Sequence, residues 1–419
     1  MIVISGAKAL TTRGWLEADV AIEDAKITHV GVAPDGEHSR IDGTGMILGP
    51  AFVDLHTHLR EPGESWKEDI ETGTAAAARG GYAAVVAMPN TDPAIDRGEV
   101  VDRVVARASA VGQVAVALAG ALTSGRAGEE MSRLDEMYDR GVRIFTDDGD
   151  SVGNAGLLRR IMTYLKDRGD VVVAQHAEDP ALSAGGHLNE GMASQTLGVL
   201  GIPASAETSV IARDLELVAD VGIHYHVQHL STARGVELVR QAKQAGLPVT
   251  AEVTPHHLTL TDADIRELDT NLKMYPPLRT PSDRAALVAG LSDGTIDAIA
   301  TDHAPHAESE KDVPFEEAPR GVTGLETAFP LGLAALSGDL DAVFERMSIT
   351  PARISGLSRH GRPIEVGAPA NLVLVDPLRR WKVGSFASRA ANSPFAGWEL
   401  EGEVMATIVE GKLVYGDGA

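Results

Sequence analysis

The segment from Asp54 to Gly63 carries the residues best suited to chemistry, and it reads Asp-Leu-His-Thr-His-Leu-Arg-Glu-Pro-Gly. Within it, His56, His58 and Arg60 are spaced by two. Because side chains alternate sides along a β-strand, both imidazoles can face one metal ion while the guanidinium faces the molecule on which the metal acts. The spacing therefore suits a Lewis acid beside an anion-binding group. The alternative to a metal site is that both histidines lie on a buried strand face and only form hydrogen bonds within the protein.

Eight short apolar runs, rich in Val, Ile and Ala, must position these residues. They are Ala51–His56, Ala83–Met88, Val114–Leu118, Val142–Asp147, Val171–Ala177, Ile223–His229, Pro248–Thr254 and Asp297–Asp302. The segments between them have helical spacing, and several end at glycine. Eight strand–helix alternations predict an α/β fold of the (β/α)8 TIM barrel type, in which catalytic residues gather at the C-terminal ends of the strands.

The two ends of the chain follow a different pattern. Residues 1 to about 49 and about 365 to 414 show strand-like alternation broken by turns, and neither end carries a catalytic cluster. We predict that both ends fold together as a small β-sandwich domain, residues 1–50 and 365–419, beside a barrel domain of residues 51–364.

The composition is that of a large globular chain without cysteine. Its 419 residues exceed the usual size of a single core, and its 44% hydrophobic content is ordinary for a folded protein. A net charge of -23 repels phosphate backbones, so no nucleic-acid partner is expected. Without cysteine, a metal must be held by histidine and carboxylate. No apolar run is long enough to span a membrane and no leader is recognisable, so we expect a cytoplasmic protein.

Five of the predicted strand ends offer metal ligands. These ligands are His56, His58, Asp148, His176, His229 and Asp302. Four imidazoles and two carboxylates can hold two divalent ions, for which Zn²⁺ is the expected metal, if one carboxylate bridges them, and Asp148 is the predicted bridge. Two ions roughly 3.5–4 Å apart would lower the pKa of a shared water to about 7. Asp302 could then act as the general base and acid.

The other histidines have weaker cases. His224 and His226 alternate on the face of strand six opposite to His229 and are predicted to be packing residues. His256 and His257 follow strand seven and stay open as ligands or as supports for ligands. Ordinary surface or structural roles are predicted for His29, His38, His187 and His360.

With these residues assembled, the chain resembles the dihydroorotases of the amidohydrolase superfamily, in particular the bacterial type with an aspartate at the bridging position. The resemblance covers essentially the whole length, and the order and spacing of its motifs are together highly specific. The motifs are Asp54 to Gly63, Met88-Pro-Asn-Thr91, Phe145-Thr-Asp-Asp-Gly149, Gln175-His-Ala-Glu178, His229-Leu-Ser-Thr232, Thr254-Pro-His-His-Leu258, Pro276-Pro-Leu-Arg279, Thr301-Asp-His-Ala-Pro-His306 and Gly321-Val-Thr-Gly-Leu-Glu326.

The resemblance implies reversible closure of N-carbamoyl-L-aspartate to L-dihydroorotate, a step of de novo pyrimidine synthesis. It also implies a metal pair on the six ligands given above, with Asp302 as the acid–base group. The substrate-binding residues that it implies are Arg60, Asn90, His306, Gly321 and Tyr275. Tyr275 departs from the family pattern, because many relatives place asparagine before Pro-Pro-Leu-Arg. The substrate contact on that side is therefore left open.

Two alternatives stand beside this interpretation. Dihydropyrimidinases, hydantoinases and allantoinases generally bridge their metals with a carboxylated lysine, but residues 142–149 contain no lysine. A non-catalytic structural partner of aspartate transcarbamoylase is disfavoured because every ligand position is filled. The expected partner is a small-molecule substrate, with a homodimer by analogy, and association with aspartate transcarbamoylase is left open. The polar run from Glu308 to Asp312 predicts a mobile loop over residues 307–320.

Overall fold

Strands and helices alternate through most of the computed structural model, which describes residues 1–32 and 38–416. The strands are β1 (Ile2–Thr11), β2 (Gly14–Glu23), β3 (Lys26–Gly31), β4 (Ser39–Asp42), β5 (Ile47–Pro50), β6 (Phe52–Thr57), β7 (Tyr82–Ala87), β8 (Ala115–Gly120), β9 (Ile144–Phe145), β10 (Val172–Gln175), β11 (Leu188–Asn189), β12 (Gly201–Ile202), β13 (His224–Val227), β14 (Val249–Val253), β15 (Ala298–Ile299), β16 (Leu372–Lys382), β17 (Glu399–Val409) and β18 (Lys412–Gly416). The α-helices are α1 (Ile70–Arg79), α2 (Gly98–Val111), α3 (Leu134–Tyr138), α4 (Ala155–Lys166), α5 (Pro180–Ser183), α6 (Met192–Leu197), α7 (Ser205–Val221), α8 (Ala233–Gln244), α9 (Pro255–Thr259), α10 (Pro281–Asp293), α11 (Glu308–Lys311), α12 (Ala328–Ala335), α13 (Leu340–Phe344) and α14 (Thr350–Ile354). Short 3₁₀ turns cover Ser124–Arg126, Asp262–Asp264, Thr270–Leu272 and Leu325–Thr327, and a π-helical turn covers Glu345–Ile349.

Eight parallel strands form the barrel in the order β6, β7, β8, β9, β10, β13, β14, β15. Its two edges approach where Thr57 pairs with His303, and the His58 amide donates to the His303 carbonyl at 2.9 Å. The predicted barrel is confirmed, and each predicted apolar run overlaps a strand. Because β9 and β15 are only two residues long, Asp148 and Asp302 lie three residues beyond their strands.

The barrel strands are nearly continuous apolar runs because helices cover their outer face and side chains fill the inside. All six residues of β7 are buried. Helix α4 shows the complementary pattern, with Leu157, Leu158, Ile161, Met162 and Leu165 buried at helical spacing. Full burial of a side chain of this size contributes about 1.5–3 kcal/mol. These contacts hold the strand ends in register around one mouth.

The two ends of the chain share one eight-stranded sheet, in the order β18, β17, β16, β5, β1, β2, β3, with β4 beside β1. The antiparallel pair of β5 and β16 joins the two ends. A core separate from that of the barrel includes Ile4, Val20, Leu48, Leu372 and Ile408. The predicted β-sandwich from both termini is confirmed as part of the fold. The domain bounds stay a prediction, and residues 33–37 and 417–419 of the predicted terminal domain lie outside the described residues.

Between β10 and α7 the chain leaves the barrel in an excursion made of short helices and the two-stranded sheet of β11 and β12. Arg279 anchors this excursion, since its Nη1 donates to Asn189 Oδ1 at 3.1 Å and to the Ile202 carbonyl at 2.9 Å. Among the helices in the described residues, none has both the length and the apolar character needed to cross a membrane.

Candidate metal centre and binding cleft

The six predicted ligands meet at the C-terminal mouth of the barrel. The sequence folds in this way because each ligand ends or closely follows a barrel strand. His56 lies in β6 and His58 just after it, and His176 follows β10 directly. His229 lies two residues beyond β13. All six side chains are buried, with 7% or less of each residue exposed.

Asp148 lies at the centre of this cluster. Its Oδ1 is 3.2 Å from His56 Nε2, 3.6 Å from His229 Nε2 and 3.9 Å from His176 Nδ1, and its Oδ2 is 3.6 Å from His58 Nε2. Two potential metal-binding groups result, one of His56, His58 and Asp148 and one of Asp148, His176 and His229. Asp148 is common to both groups, which is the position that a bridging carboxylate needs.

Asp302 completes the first group from the opposite edge of the barrel. Its Oδ1 lies 2.9 Å from His58 Nε2 and 3.6 Å from His56 Nε2. Ligands at about 2.0–2.2 Å from one tetrahedral ion are separated from each other by roughly 3.3–3.6 Å. Most of the spacings around Asp148 and Asp302 fall near that range.

Unpartnered buried atoms support the fit of a cation. His56 Nε2 and Asp148 Oδ1 have no hydrogen-bond partner among the described residues, although both are buried and close together. Three buried carboxylates surround His56, namely those of Asp148, Asp302 and Glu252. Because an uncompensated buried charge is costly, this excess of negative charge favours a bound cation. The donor set of imidazole and carboxylate therefore fits a divalent metal.

The charges within the cluster shift its members in opposite directions. Burial would lower the pKa of His56 and of His229, but Asp148 raises both above the usual value. Burial would raise the pKa of Asp302, but the charges of His56 and His58 hold that pKa below its usual value. The pKa of Asp148 is likewise held well below its usual value, chiefly by His56 against the effect of burial. Burial, together with His229, lowers the pKa of His176 to about 3. Both carboxylates are thus ionised and His176 is neutral at neutral pH.

Two further side chains orient the histidines of the first group. His56 Nδ1 donates to Glu252 Oε1 at 2.7 Å, and His58 Nδ1 donates to Asn90 Oδ1 at 2.8 Å. These bonds direct Nε2 of each ring toward the carboxylates. Burial would raise the pKa of Glu252, but His56 and His226 lower it to about 2, so Glu252 is an ionised acceptor.

The backbone is strained at the same place. Arg60, His229 and Asp302 all have positive φ angles, of 57°, 31° and 46° respectively. Non-glycine residues in this region cost of order 1–3 kcal/mol each and persist where the surroundings fix them. Their concentration at the barrel mouth indicates that side-chain placement is favoured there over local backbone energy.

A cleft of about 490 Å³ opens above the cluster. It is lined by His58, Arg60, Asn90, Asp148, Gly149, His176, His229, Tyr275, Asp302, Ala304, His306, Arg320 and Gly321. All five residues that the resemblance implies for substrate binding therefore line the cavity that also exposes predicted metal ligands. Their roles toward a substrate stay predictions.

Arg60 and His306 form one wall of the cleft. Arg60 Nε donates to the Pro305 carbonyl at 3.2 Å, and its Nη2 lies 3.4 Å from His306 Nε2. Burial and the charge of Arg60 lower the pKa of His306 to about 2, so the imidazole is neutral. Gly321 packs against this wall with a φ of +123°, and a Cβ there would lie 2.6 Å from Ala304 Cβ. Glycine is thus required by both backbone conformation and space.

Asp147, which precedes Asp148, and several histidines near the barrel strands lie outside the cluster of predicted metal ligands. Asp147 accepts hydrogen bonds from the amide and the hydroxyl of Thr123, so it supports the loop after β8. His256 and His257 are buried in α9, but they belong to neither metal-binding group and do not line the cleft. His226, predicted to be a packing residue, is hydrogen bonded to Glu252 at 3.1 Å.

Sequence reasoning missed Glu252 and Arg320. Glu252 is the charged residue of β14, whose other residues are uncharged, and this local irregularity is the signal that could have identified it. Arg320 precedes Gly321 in a long connection, and its guanidinium lies over the ring of Tyr275. The sequence identifies Tyr275 as a departure from the family pattern. It contains no signal that relates Tyr275 to Arg320, which lies 45 positions away.

Residues 307–320, predicted to form a mobile loop, are attached to the barrel by two lysines. Lys311 is buried, and its Nζ donates to the carbonyls of Thr270 at 3.0 Å and Pro319 at 2.8 Å. Lys273 Nζ donates to the carbonyls of Phe315 and Ala318. Mobility of this segment stays a prediction.

Comparisons with known proteins identify the family. The family model described as Dihydro-orotase-like matches residues 45–235. A dihydroorotase of Thermoanaerobacter sp. is 48% identical over 381 residues, which are 90% of this chain and 88% of the relative. A dihydroorotase of Streptomyces coelicolor is 46% identical over 425 residues, covering 99% of this chain and 98% of the relative.

Solved structures agree at the level of fold. An L-hydantoinase (dihydropyrimidinase) from Arthrobacter aurescens superposes with a TM-score of 0.88 at 26% identity, covering 100% of this chain and 96% of its own. A dihydropyrimidinase from Brevibacillus agri gives a TM-score of 0.86 at 22% identity. The barrel, its terminal sheet and the buried histidine–aspartate cluster thus occur in a chain that belongs to the dihydroorotase family.

Proposed function

We propose that this protein is a dihydroorotase, which interconverts N-carbamoyl-L-aspartate and L-dihydroorotate in pyrimidine synthesis. The observation that carries the proposal is the shared cleft, in which Arg60, Asn90 and His306 line the same cavity as His58, Asp148 and Asp302. A ring that bears a free carboxylate needs both an anion-binding group and a centre that acts on its amide bond. The names of the relatives support the same substrate.

The proposed metal ligands are His56, His58, Asp148, His176, His229 and Asp302. We propose two divalent ions bridged by Asp148, with Zn²⁺ the preferred metal because the donors are imidazole and carboxylate and the chain has no cysteine. When bound, such ions polarise the amide carbonyl and lower the pKa of water.

Arg60 is proposed to bind the substrate carboxylate. Guanidinium binds carboxylate through two parallel hydrogen bonds, and Arg60 is held in place from behind by the Pro305 carbonyl. Asn90 uses its Oδ1 for His58, which leaves its amide nitrogen as a donor toward the cleft. His306 stays neutral beside Arg60 and so adds no second cation to repel. This wall fixes the ring relative to Asp302.

Asp302 is proposed to move the proton. Its lowered pKa keeps the carboxylate ionised, so it can take a proton from the attacking water during ring opening. The same oxygen can return that proton to the departing ring nitrogen. In ring closure the order is reversed, and Asp302 receives the proton of the ureido nitrogen.

Two further features complete the proposal, a cytoplasmic location, which rests on the sequence pattern, and a homodimer, which rests on analogy with the family. Association with aspartate transcarbamoylase stays open. A small-molecule substrate is common to the whole group of cyclic amide hydrolases to which the relatives belong.

Turnover of L-dihydroorotate by metal-replete protein tests the proposal, with dihydrouracil and allantoin as parallel substrates. We expect turnover of dihydroorotate only. Arg60→Ala should lower kcat/KM about 10- to 100-fold, because a hydrogen bond between charged groups is lost. Arg159→Ala is a control, since Arg159 is 53% exposed and pairs with Asp220 on the outside of the barrel. Turnover of dihydrouracil or allantoin without dihydroorotate would replace the proposal with the dihydropyrimidinase or allantoinase alternative.

A further inference from the structure

One part of the cleft is built by a tyrosine and an arginine that are stacked on each other. The Cζ atom of Arg320 lies 4.0 Å from the centroid of the Tyr275 ring. The same ring lies 4.5 Å from the ring centroid of His176, centre to centre. Both side chains line the cleft and are partly exposed to it. Tyr275 thus connects the proposed metal centre to a guanidinium that has no assigned role.

Arg320 is held in place by neutral groups. Its Nη2 donates to the Gly186 carbonyl at 2.7 Å, while its own carbonyl accepts from His306 Nε2 at 2.8 Å. The Tyr275 hydroxyl lies 3.3 Å from Ser183 Oγ, which fixes the ring beneath the guanidinium. Stacking on an aromatic face and one hydrogen bond orient the cation without neutralising it.

No ion pair joins Arg320 to a carboxylate within residues 1–32 and 38–416. Arg60, the other arginine of the cleft, has Glu64 at 3.9 Å. The cleft therefore presents on the Tyr275 side a guanidinium that is paired with no carboxylate, although the buried carboxyl group of Glu178 is an acidic neighbour.

The two forms of the proposed substrate differ in charge. The ring of dihydroorotate carries one carboxylate, and opening the amide bond creates a second. We propose, on the basis of the proposed function, that Arg320 stacked on Tyr275 is a second anion-binding group that favours the open-chain dianion over the cyclic monoanion. It would be a specificity-determining residue for ring closure, acting in addition to Arg60.

The size of the effect follows from Coulomb's law. The energy of a fixed charge with a ligand is proportional to ligand charge, so a change that weakens monoanion binding about threefold should weaken dianion binding about ninefold at similar distance. The overall equilibrium constant of the reaction cannot change. The ratio of kcat for closure to kcat for opening must therefore rise by about threefold to compensate.

Steady-state kinetics in both directions test the inference on the metal-replete enzyme. Arg320→Gln removes the charge while keeping a donor for the Gly186 carbonyl, and Arg320→Lys keeps the charge. We expect Arg320→Gln to raise KM for N-carbamoyl-L-aspartate about threefold more than KM for dihydroorotate. Arg320→Lys should keep the wild-type ratio of the two KM values.

Variants of Tyr275 separate the effect of ring stacking on the KM ratio from the effect of the hydroxyl group. Tyr275→Phe keeps the ring and should keep the KM ratio, whereas Tyr275→Asn removes the ring and should shift the ratio in the direction of Arg320→Gln. These variants also keep the inference testable if Arg320→Gln does not fold, which its thermal unfolding curve would reveal.

Each outcome decides between the proposals. Equal changes of both KM values in Arg320→Gln, or a shifted ratio in Arg320→Lys, would overturn the second anion site while leaving the proposed function intact. A wild-type enzyme that turns over neither compound would overturn the proposed function and this inference with it.

Discussion

The two histidine pairs of the metal centre are supported in different ways. In the first pair, His56 and His58, each Nδ1 is hydrogen bonded to an acceptor side chain, Glu252 at 2.7 Å and Asn90 at 2.8 Å. In the second pair, His176 and His229, the outer nitrogens have no hydrogen-bond partner among the described residues. The ring of His176 is instead packed against Tyr275.

This difference shows two ways of holding a ligand. A hydrogen-bond acceptor behind an imidazole fixes its tautomer and orientation and increases its affinity for a metal, whereas packing fixes orientation alone. We therefore expect the metal site at the first pair to be the tighter of the two. It is also the site at which Asp302 lies, 2.9 Å from His58.

The largest effect should come from Asp302, the acid–base group beside the first pair. Asp302→Asn should lower kcat by about 10³-fold or more, because both general base and general acid are lost while the side-chain volume is kept. The readout is turnover of dihydroorotate together with a thermal unfolding curve that stays cooperative.

Asp297→Asn is the matched control, because Asp297 lies at the other end of β15 from Asp302. Asp297 accepts from Lys243 Nζ and from the Ala251 amide, and it precedes β15, whereas Asp302 follows that strand. Asp297→Asn should lower stability by about 0.5–1.5 kcal/mol with turnover kept. Full turnover by Asp302→Asn would instead overturn the acid–base role proposed for Asp302.

A smaller effect should follow from removing the charge behind the first pair. Glu252→Gln keeps the shape of the side chain but weakens the acceptor of His56, so metal affinity or activity should fall about 10- to 100-fold. Metal titration of the apo-protein and kcat at saturating metal measure the two contributions separately.

Glu207→Gln is the corresponding control, because Glu207 is also a buried glutamate. It accepts from the amides of Ser231 and Thr232 and has no hydrogen bond to a proposed ligand. That variant should lose stability with unchanged metal affinity. Equal loss of metal affinity in both variants would mean that Glu252 acts through general destabilisation only.

The smallest effect is a difference between the two sites of the intact protein. During titration with a chelator, one equivalent of metal should leave before the other, with the second pair emptied first because its histidines lack hydrogen-bonded partners. Metal content against chelator concentration gives the order, and a His229→Asn variant should remove the weaker step. Loss of both ions in a single step would contradict the comparison.

The barrel and six ligands could be predicted because each signal is local. A buried parallel strand is a continuous apolar run, and a histidine or aspartate at its end needs no knowledge of distant residues. His56, Asp148 and His229 were found in this way. The shortness of β9 and β15 was not predicted, since pairing of neighbouring strands decides where a strand ends.

The supports of the ligands could not be predicted in the same way. Glu252 of β14 reaches His56 of β6 because both strands turn these side chains into the barrel, a relation that only the closed fold creates. Arg320 reaches Tyr275 from a separate connection. Contacts of this kind depend on tertiary structure and leave only a weak trace in a single sequence.

Anomalous diffraction at the zinc absorption edge, from crystals of the metal-replete protein, tests the central claim most directly. We predict two peaks on either side of Asp148, about 3.5–4 Å apart, one beside His56 and His58 and the other beside His176 and His229. A single peak away from Asp148, or no peak among these residues, would contradict the account.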